Sequence, residues 1–126
     1  MKSHIHTNDA PQPIGPYSQG IAAQGTFLFL SGQIPLQNDG TMIEGGIREQ
    51  THQVIRNIQA VLAAENAELK NVVKCTVFLK DMNDFVAMNE VFSEYFGDVR
   101  PARSTIEVAR LPKDVAVEIE VIALRG

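Results

Sequence analysis

The fold is decided by residues 100–124, which read RPARSTIEVARLPKDVAVEIEVIAL. Two segments, 104–109 and 115–124, are rich in β-branched residues, as strands usually are. The intervening Leu111-Pro112-Lys113-Asp114 has the composition of a turn. The pattern therefore predicts two strands joined as a hairpin.

Successive side chains of a strand point to opposite faces, so Arg103 and Thr105 share one face. Pairing around the 111–114 turn predicts that Thr105 lies opposite Glu118 and that Arg103 lies opposite Glu120. A guanidinium, a hydroxyl and two carboxylates are then expected side by side on one face of the sheet.

Two interpretations of this polar cluster remain open. It can be a cross-strand ion pair on a solvated face, which contributes about 0.2–1 kcal/mol to stability. It can also be the floor of a pocket, in which the arginine binds a substrate carboxylate and a glutamate holds a water molecule.

The length and composition predict one globular domain over residues 1–126, with 44% hydrophobic and 21% charged residues. A formal net charge of −4 and the lack of a basic stripe disfavour nucleic acid as a partner. No apolar run approaches the ~20 residues of a membrane span, and no secretory signal is recognisable. We therefore expect a cytoplasmic protein. The lone Cys75 excludes an internal disulfide.

Residues 1–16 are predicted to be irregular because they contain Pro11, Pro13, Gly15 and Pro16. Two strands are predicted at about 18–23 and 26–32, joined by a two-residue turn at Gln24-Gly25. This hairpin would place Ser18 opposite Ser31 and Tyr17 beside Gly32.

Two helices are predicted, the first at about 47–66 and the second from Asp81 or Asn83 to Gly97. Each carries an apolar stripe at helical spacing. The first stripe comprises Val54, Ile58, Val61 and Leu62, and the second comprises Phe85, Met88, Phe92 and Tyr95 or Phe96.

The predicted order is β-β-(short β)-α-β-α-β-β, in which the short strand flanks the Asn38-Asp39-Gly40 turn. Two helices on one face of a mixed sheet make an α+β sandwich. The other face would be left bare in a single chain, so we expect oligomerisation to cover it.

The sequence contains no phosphate-binding loop, no dinucleotide fingerprint and no histidine or carboxylate spacing typical of a metal site. We therefore predict no metal and no cofactor. The remaining arginine, carboxylates and hydroxyls suit the binding of a small carboxylate and the activation of water.

Several segments together closely resemble the RidA (YjgF) family, and they follow the family order along nearly the whole chain. The segments are Ile14–Gly20 (IGPYSQG), Ser31–Pro35 (SGQIP), Lys80–Phe85 (KDMNDF), Pro101–Ser104 (PARS) and Glu107–Asp114 (EVARLPKD).

The resemblance implies a chorismate-mutase-like fold and a homotrimer with clefts between subunits. It also implies cofactor-free hydrolysis of reactive enamines and imines, such as 2-aminoacrylate and 2-iminobutyrate, to 2-oxo acids and ammonia. Two alternatives stay open: a non-catalytic module that binds 2-oxo acids, and the ribonuclease or chaperone roles that have been linked to the family.

By the same resemblance, Arg103 binds the substrate carboxylate and Glu118 orients or activates the attacking water. The cleft is expected to be lined by Tyr17, Ser31, Gly32 and Asn89. Thr105 also belongs to the expected substrate site, but it stands where the family usually has cysteine. Threonine keeps a hydroxyl and loses an oxidisable thiol.

Overall fold

The computed structural model describes residues 1–125, which form six strands and two α-helices. They are β1 (Lys2–Ile5), β2 (Gly20–Ala23), β3 (Thr26–Phe29), α1 (Ile47–Ala63), β4 (Val72–Leu79), α2 (Phe85–Phe96), β5 (Ala102–Glu107) and β6 (Val117–Arg125).

The central feature is a four-stranded sheet in the order β3-β6-β4-β5. β4 pairs with β5 in parallel and with β6 antiparallel, and β3 pairs with β6 antiparallel. Both helices pack on one face of this sheet, where their apolar stripes meet the inward side chains of β4 and β6. The predicted α+β architecture, with a mixed sheet and two helices on one face, is confirmed.

The predicted hairpin between the last two strands is wrong, because β4 lies between β5 and β6. Arg103 pairs with Cys75, and Cys75 pairs in turn with Val121. The connection from β5 to β6 wraps around the end of β4: the Val108 amide donates to the Leu79 carbonyl at 2.9 Å. A connection with this path separates its two strands instead of pairing them.

The predicted hairpin between β2 and β3 is also wrong. Of the two turn residues, only Gly25 has a positive φ (140°), whereas the turns that hold hairpin strands together need a positive φ at the first position. The two strands therefore separate into different sheets. β2 pairs instead with β1, which forms within the segment that the prolines and Gly15 had marked as irregular.

β3 continues along β6 through a bulge that holds Ser31 and Gly32. Phe29 pairs with Ile122 and Gln33 pairs with Ile119. The chain therefore advances four residues after β3 while β6 advances only three. One extra residue in an antiparallel pair is a β-bulge, which turns its side chains away from the regular ladder. The predicted short strand is reduced to a single bridge between Leu36 and Met42.

The apolar stripes are largely as predicted. Val54, Ile58 and Leu62 of α1 are fully buried, and Met88, Phe92 and Phe96 form the buried stripe of α2. Val61 was assigned wrongly: it is 43% exposed, and Ile55 takes its place in the core. On the uncovered face of the sheet, Phe29 is 75% exposed and Ile106 is 42% exposed.

We expect Leu62→Ala to lower the free energy of unfolding by about 2–5 kcal/mol, because it leaves a cavity in a closed core. Val61→Ala, one residue earlier, should cost less than about 1 kcal/mol. Urea unfolding of the two variants provides the comparison. Equal losses would contradict the assignment of the helix faces.

Candidate functional site

A small cavity of about 200 Å³ lies where α2 and the Gly15–Ser18 segment meet the exposed edge strand β5. Its walls are Ile14, Gly15, Tyr17, Phe85, Arg103 and Thr105. It therefore brings together three of the residues predicted for the site, Tyr17, Arg103 and Thr105.

Arg103 is half-buried and is surrounded by aromatic rings. Its Cζ atom lies 4.8 Å from the ring centre of Phe92, 5.2 Å from Tyr17 and 5.8 Å from Phe85. Such contacts attract a cation through the negative faces of the rings. They hold the guanidinium in place without neutralising it.

The only hydrogen bond of the Arg103 guanidinium within residues 1–125 runs from Nη1 to Oδ1 of Asn89, at 2.7 Å. No ion pair to Arg103 is present in the same part of the chain. Burial lowers the pKa of Arg103, and an arginine nevertheless stays charged. Four of its five N–H groups remain available for an anionic ligand.

The turn that carries Tyr17 is fixed by backbone hydrogen bonds. The Tyr17 amide donates to the Gly15 carbonyl at 2.8 Å, and the Ser18 amide donates to the Pro101 carbonyl at 3.0 Å. The second bond joins this segment to the start of β5. Ser18 therefore lies beside Ala102, and the predicted neighbours Ser31 and Gly32 lie elsewhere.

Thr105 lies two residues after Arg103 on the same face of β5. Its Oγ1 atom is buried and has no hydrogen-bond partner among residues 1–125. Cys75, the cross-strand partner of Arg103, is fully buried, and this burial raises the pKa of its thiol. Neither side chain resembles an activated nucleophile, since one lacks a base and the other stays protonated.

Glu118 lies on the opposite face of the sheet. Its carboxylate fills the space above Gly32, so closely that an added Cβ at Gly32 would overlap Oε2 of Glu118. Burial, and then repulsion from Glu120, raise the pKa of Glu118. Ser31 is the exposed neighbour of Gly32 in the bulge.

The register shows why Arg103 and Glu118 point in opposite directions. Arg103 aligns through Cys75 with Val121, and Glu118 aligns through Phe78 with Ile106. Residues aligned across a sheet share a face, and those an odd number of positions apart along one strand do not. The predicted cluster of Arg103, Thr105, Glu118 and Glu120 on one face is therefore wrong. Within one chain these residues form two separate groups, one on each face of the sheet.

Sequence reasoning from the residues alone missed the contribution of α2. Phe85 and Phe92 were assigned only to the core stripe, and Asn89 had no role apart from the family resemblance. The signal was present in the spacing, since positions 85, 89 and 92 fall on one face of a helix. The polar Asn89 between two phenylalanines on that face marks the partner of Arg103.

Residues 1–125 contain no group of three or more histidine, cysteine or acidic residues arranged to hold a metal ion. None of the helices in this range is long and apolar enough to cross a membrane. His52 is engaged with the Tyr95 hydroxyl at 2.8 Å.

The family model described as Endoribonuclease L-PSP matches residues 7–125. A RutC family protein of Pyrococcus horikoshii is 56% identical, and the match covers 99% of each chain. A 2-iminobutanoate/2-iminopropanoate deaminase of Dermatophagoides farinae is 45% identical, with 98% of this chain and 96% of that protein covered.

Among solved structures, Escherichia coli TdcF with bound serine superposes with a TM-score of 0.75. It is 40% identical, and the match covers 98% of this chain and 99% of that one. The α+β fold described above is thus shared with proteins that resemble this chain over its whole described length. The chain belongs to the RidA/YjgF/RutC family.

Proposed function

We propose that this protein is a cytoplasmic, single-domain hydrolytic deaminase that converts reactive enamines and imines, such as 2-aminoacrylate and 2-iminobutyrate, to 2-oxo acids and ammonia. The observation that carries the proposal is Arg103, a half-buried cation with four unused N–H groups in a cavity of about 200 Å³. Such a guanidinium can bind a small substrate carboxylate through two parallel hydrogen bonds. The deaminase name of one relative supports this choice.

In the proposed reaction, the enamine first tautomerises to the imine, and water then attacks the imine carbon. Glu118 accepts a proton from that water as the new C–O bond forms. The electron pair of the C=N bond moves to the imine nitrogen, which is protonated before the attack, and a carbinolamine forms. Glu118 returns its proton to this nitrogen, ammonia leaves with the electrons of the C–N bond, and the hydroxyl proton is released as the C=O bond of the 2-oxo acid forms. Overall, one water is consumed for each ammonia released, and no electrons are transferred.

Glu118 suits the role of base because its raised pKa makes the carboxylate a better proton acceptor than an ordinary glutamate. Gly32 is needed beside it, since any larger residue would push the carboxylate from its position. Tyr17 and Asn89 orient Arg103, while Ser31 and Thr105 complete the lining of the substrate site.

The site that we propose has two halves, one around Arg103 and one around Glu118. They require a second subunit, because Arg103 and Glu118 of one chain face away from each other. We propose a homotrimer in which the Arg103 half of one subunit meets the Glu118 half of the next. The exposed Phe29 and Ile106 on the uncovered face of the sheet support such an assembly, since large exposed apolar side chains commonly mark interfaces.

A binding module for 2-oxo acids is the second candidate, because Arg103 would hold the carboxylate of a product as well as that of a substrate. The description Endoribonuclease L-PSP suggests a third role. The net charge of −4 argues against that role, since binding to nucleic acid depends mainly on cations that contact phosphates.

We expect subunits lacking Arg103 to complement subunits lacking Glu118. Arg103→Ala and Glu118→Gln proteins should each be nearly inactive in an ammonia-release assay. Co-expression at equal levels should restore about a quarter of the wild-type sites, because in a cyclic assembly each site draws its two halves independently. The control is wild-type homo-oligomers mixed with either variant. If co-expression of the two variants restored no activity, the shared site would be contradicted.

Glu118→Gln should also change stability in a pH-dependent way. The pKa of Glu118 is raised on folding, so its contribution favours the folded state at low pH and is lost as the pH rises through the folded value. In dissociated subunits at pH 7, where no Arg103 of a second chain faces Glu118, the variant should therefore melt at a higher temperature than wild type, and this difference should disappear below about pH 4.

The exposed Glu94→Gln is the matched control for simple removal of a charge. In parallel, turnover by Glu118→Gln should fall about 10²–10⁴-fold, while calorimetry still detects binding of 2-oxobutyrate. Full turnover by Glu118→Gln would assign Glu118 a structural role only and would favour the binding module.

Thr105→Val should increase the free energy of unfolding by roughly 1 kcal/mol, since it replaces an unpaired buried hydroxyl with a methyl group of the same shape. If water is the nucleophile, imine hydrolysis should continue and Thr105→Cys should be active too. Chemical denaturation and the ammonia assay test both expectations. A folded but inactive Thr105→Val protein would indicate chemistry at the hydroxyl.

A further inference from the structure

A second cavity, of about 490 Å³, shares the wall residue Tyr17 with the cavity that contains Arg103. It is bounded by the end of β1, the loop that follows it, the start of the Tyr17–Gln19 segment and the turn before β5. Its volume is within the range of sites that bind small molecules. The proposed deaminase reaction assigns it no role.

The side chains that could carry charge in this cavity are His4, His6 and Arg100, and none of the described residues lining it is acidic. The guanidinium of Arg100 has no ion-pair partner within residues 1–125. In a chain with an overall charge of −4, this concentration of basic groups favours an anion at this one place.

Hydrogen bonds determine which nitrogen of His4 is free. The Ser18 hydroxyl donates its single proton to the Arg100 carbonyl. The contact of 2.6 Å between His4 Nδ1 and Ser18 Oγ must then have the imidazole as donor. Nδ1 of His4 is therefore occupied, and Nε2 has no partner among the described residues.

The same reasoning applies to His6. Its Nε2 lies 2.8 Å from Oε1 of Gln12, and Nε2 of Gln12 donates to the Thr7 carbonyl at 3.0 Å. The amide oxygen is thus an acceptor, and His6 Nε2 is the donor. Nδ1 of His6 is the free nitrogen, so both rings retain one nitrogen for a ligand.

The walls of the cavity are already ordered. The side chain of Gln19 accepts from the Thr7 amide at 2.7 Å and donates to the carbonyls of Thr7 and Pro11 at 3.1 and 2.9 Å. The backbone of Arg100 is held at φ 53° by a bond from its amide to the Phe96 carbonyl at 3.0 Å. A preformed site loses less entropy on binding.

We propose that this cavity is a second ligand site, which binds a small tetrahedral oxyanion, phosphate, either free or as an ester. On ligand binding, the two imidazole rings are protonated and donate from His4 Nε2 and His6 Nδ1, and Arg100 supplies the fixed positive charge. Ile5 and Pro13 provide apolar surface for the organic part of an ester. Because Tyr17 borders both cavities, the ligand would lie next to the substrate site.

The test is an NMR titration of the histidine ring nitrogens with inorganic phosphate in slightly acidic buffer containing EDTA, which removes transition metals. We expect the signals of His4 and His6 to shift with saturation. The signals of His52 should not move, since His52 lies on α1 and contacts the hydroxyl of Tyr95 on α2. Sodium chloride at equal ionic strength should produce no such saturation. Phenyl phosphate in a parallel titration separates an ester site from a site for the free ion.

His6→Gln and Arg100→Gln should each weaken phosphate binding about tenfold, the usual effect of removing one charged hydrogen bond. Arg56→Gln, at an exposed arginine of α1 without an ion pair among residues 1–125, should bind phosphate like wild type. His6→Gln leaves the contact between His4 and Ser18 intact, so loss of folding does not confuse the result.

Three outcomes would overturn the proposal: equal shifts at His52, the same effect from chloride, or unchanged phosphate affinity in both variants. Retained imine hydrolysis by His6→Gln and Arg100→Gln would support a separate site, and its loss would place these residues in the active site instead. Since binding is measured without an imine, the result does not depend on the proposed deaminase function.

Discussion

The position of β4 between β5 and β6 is the constraint on which the rest of the structure depends. β4 has four buried inward side chains that pack against both helices, whereas β5 is partly exposed along its length. Burying the more apolar strand at the centre of the sheet gains the most from removing apolar surface from water. It also fixes the register, and the register determines the direction of every polar side chain on β5 and β6, the two strands that flank β4.

Arg103 shows what this arrangement requires of the site. A guanidinium that faces the helices cannot reach bulk water freely, so its neighbours must compensate for the lost hydration. Phe92, Tyr17 and Asn89 do so through ring faces and one amide oxygen, and none of them carries a negative charge. A carboxylate in that position would stabilise the cation more strongly, but it would also occupy the fork that a substrate needs.

Much of the fold was predictable because local patterns decide it. The helix stripes, the long strands and the Asn38-Asp39-Gly40 turn depend on neighbours in sequence, and these predictions were correct apart from details such as Val61. The pairing of strands depends on the path of the connections in space, which composition does not encode. The turn at Gln24-Gly25 illustrates this, since one φ angle separates a hairpin from two strands in different sheets.

The residues of the candidate site likewise divide into those whose positions local patterns predicted and those whose positions depend on strand pairing. The alternation within β5 correctly placed Arg103 and Thr105 on one face, because alternation is a local property. Predicting the face on which Glu118 lies required the position of β4 in the sheet. The assumed hairpin between β5 and β6 placed the Glu118 side chain on the wrong face. What remained was the family resemblance, which named the expected site residues and implied that the cleft lies between subunits.

The opposite orientations of Arg103 and Glu118 bear directly on the two interpretations of the polar cluster. A cross-strand ion pair between Arg103 and a glutamate of β6 is impossible within one chain, since the intervening strand directs the two side chains apart. Glu118 consequently keeps an uncompensated charge. Burial makes this charge costly and raises the pKa of Glu118. A half-buried cation and a half-buried carboxylate, each without an ion-pair partner among residues 1–125, are both destabilising in isolation. In the trimer that we propose, contact between subunits would bring each group to the other's face and would offset both costs.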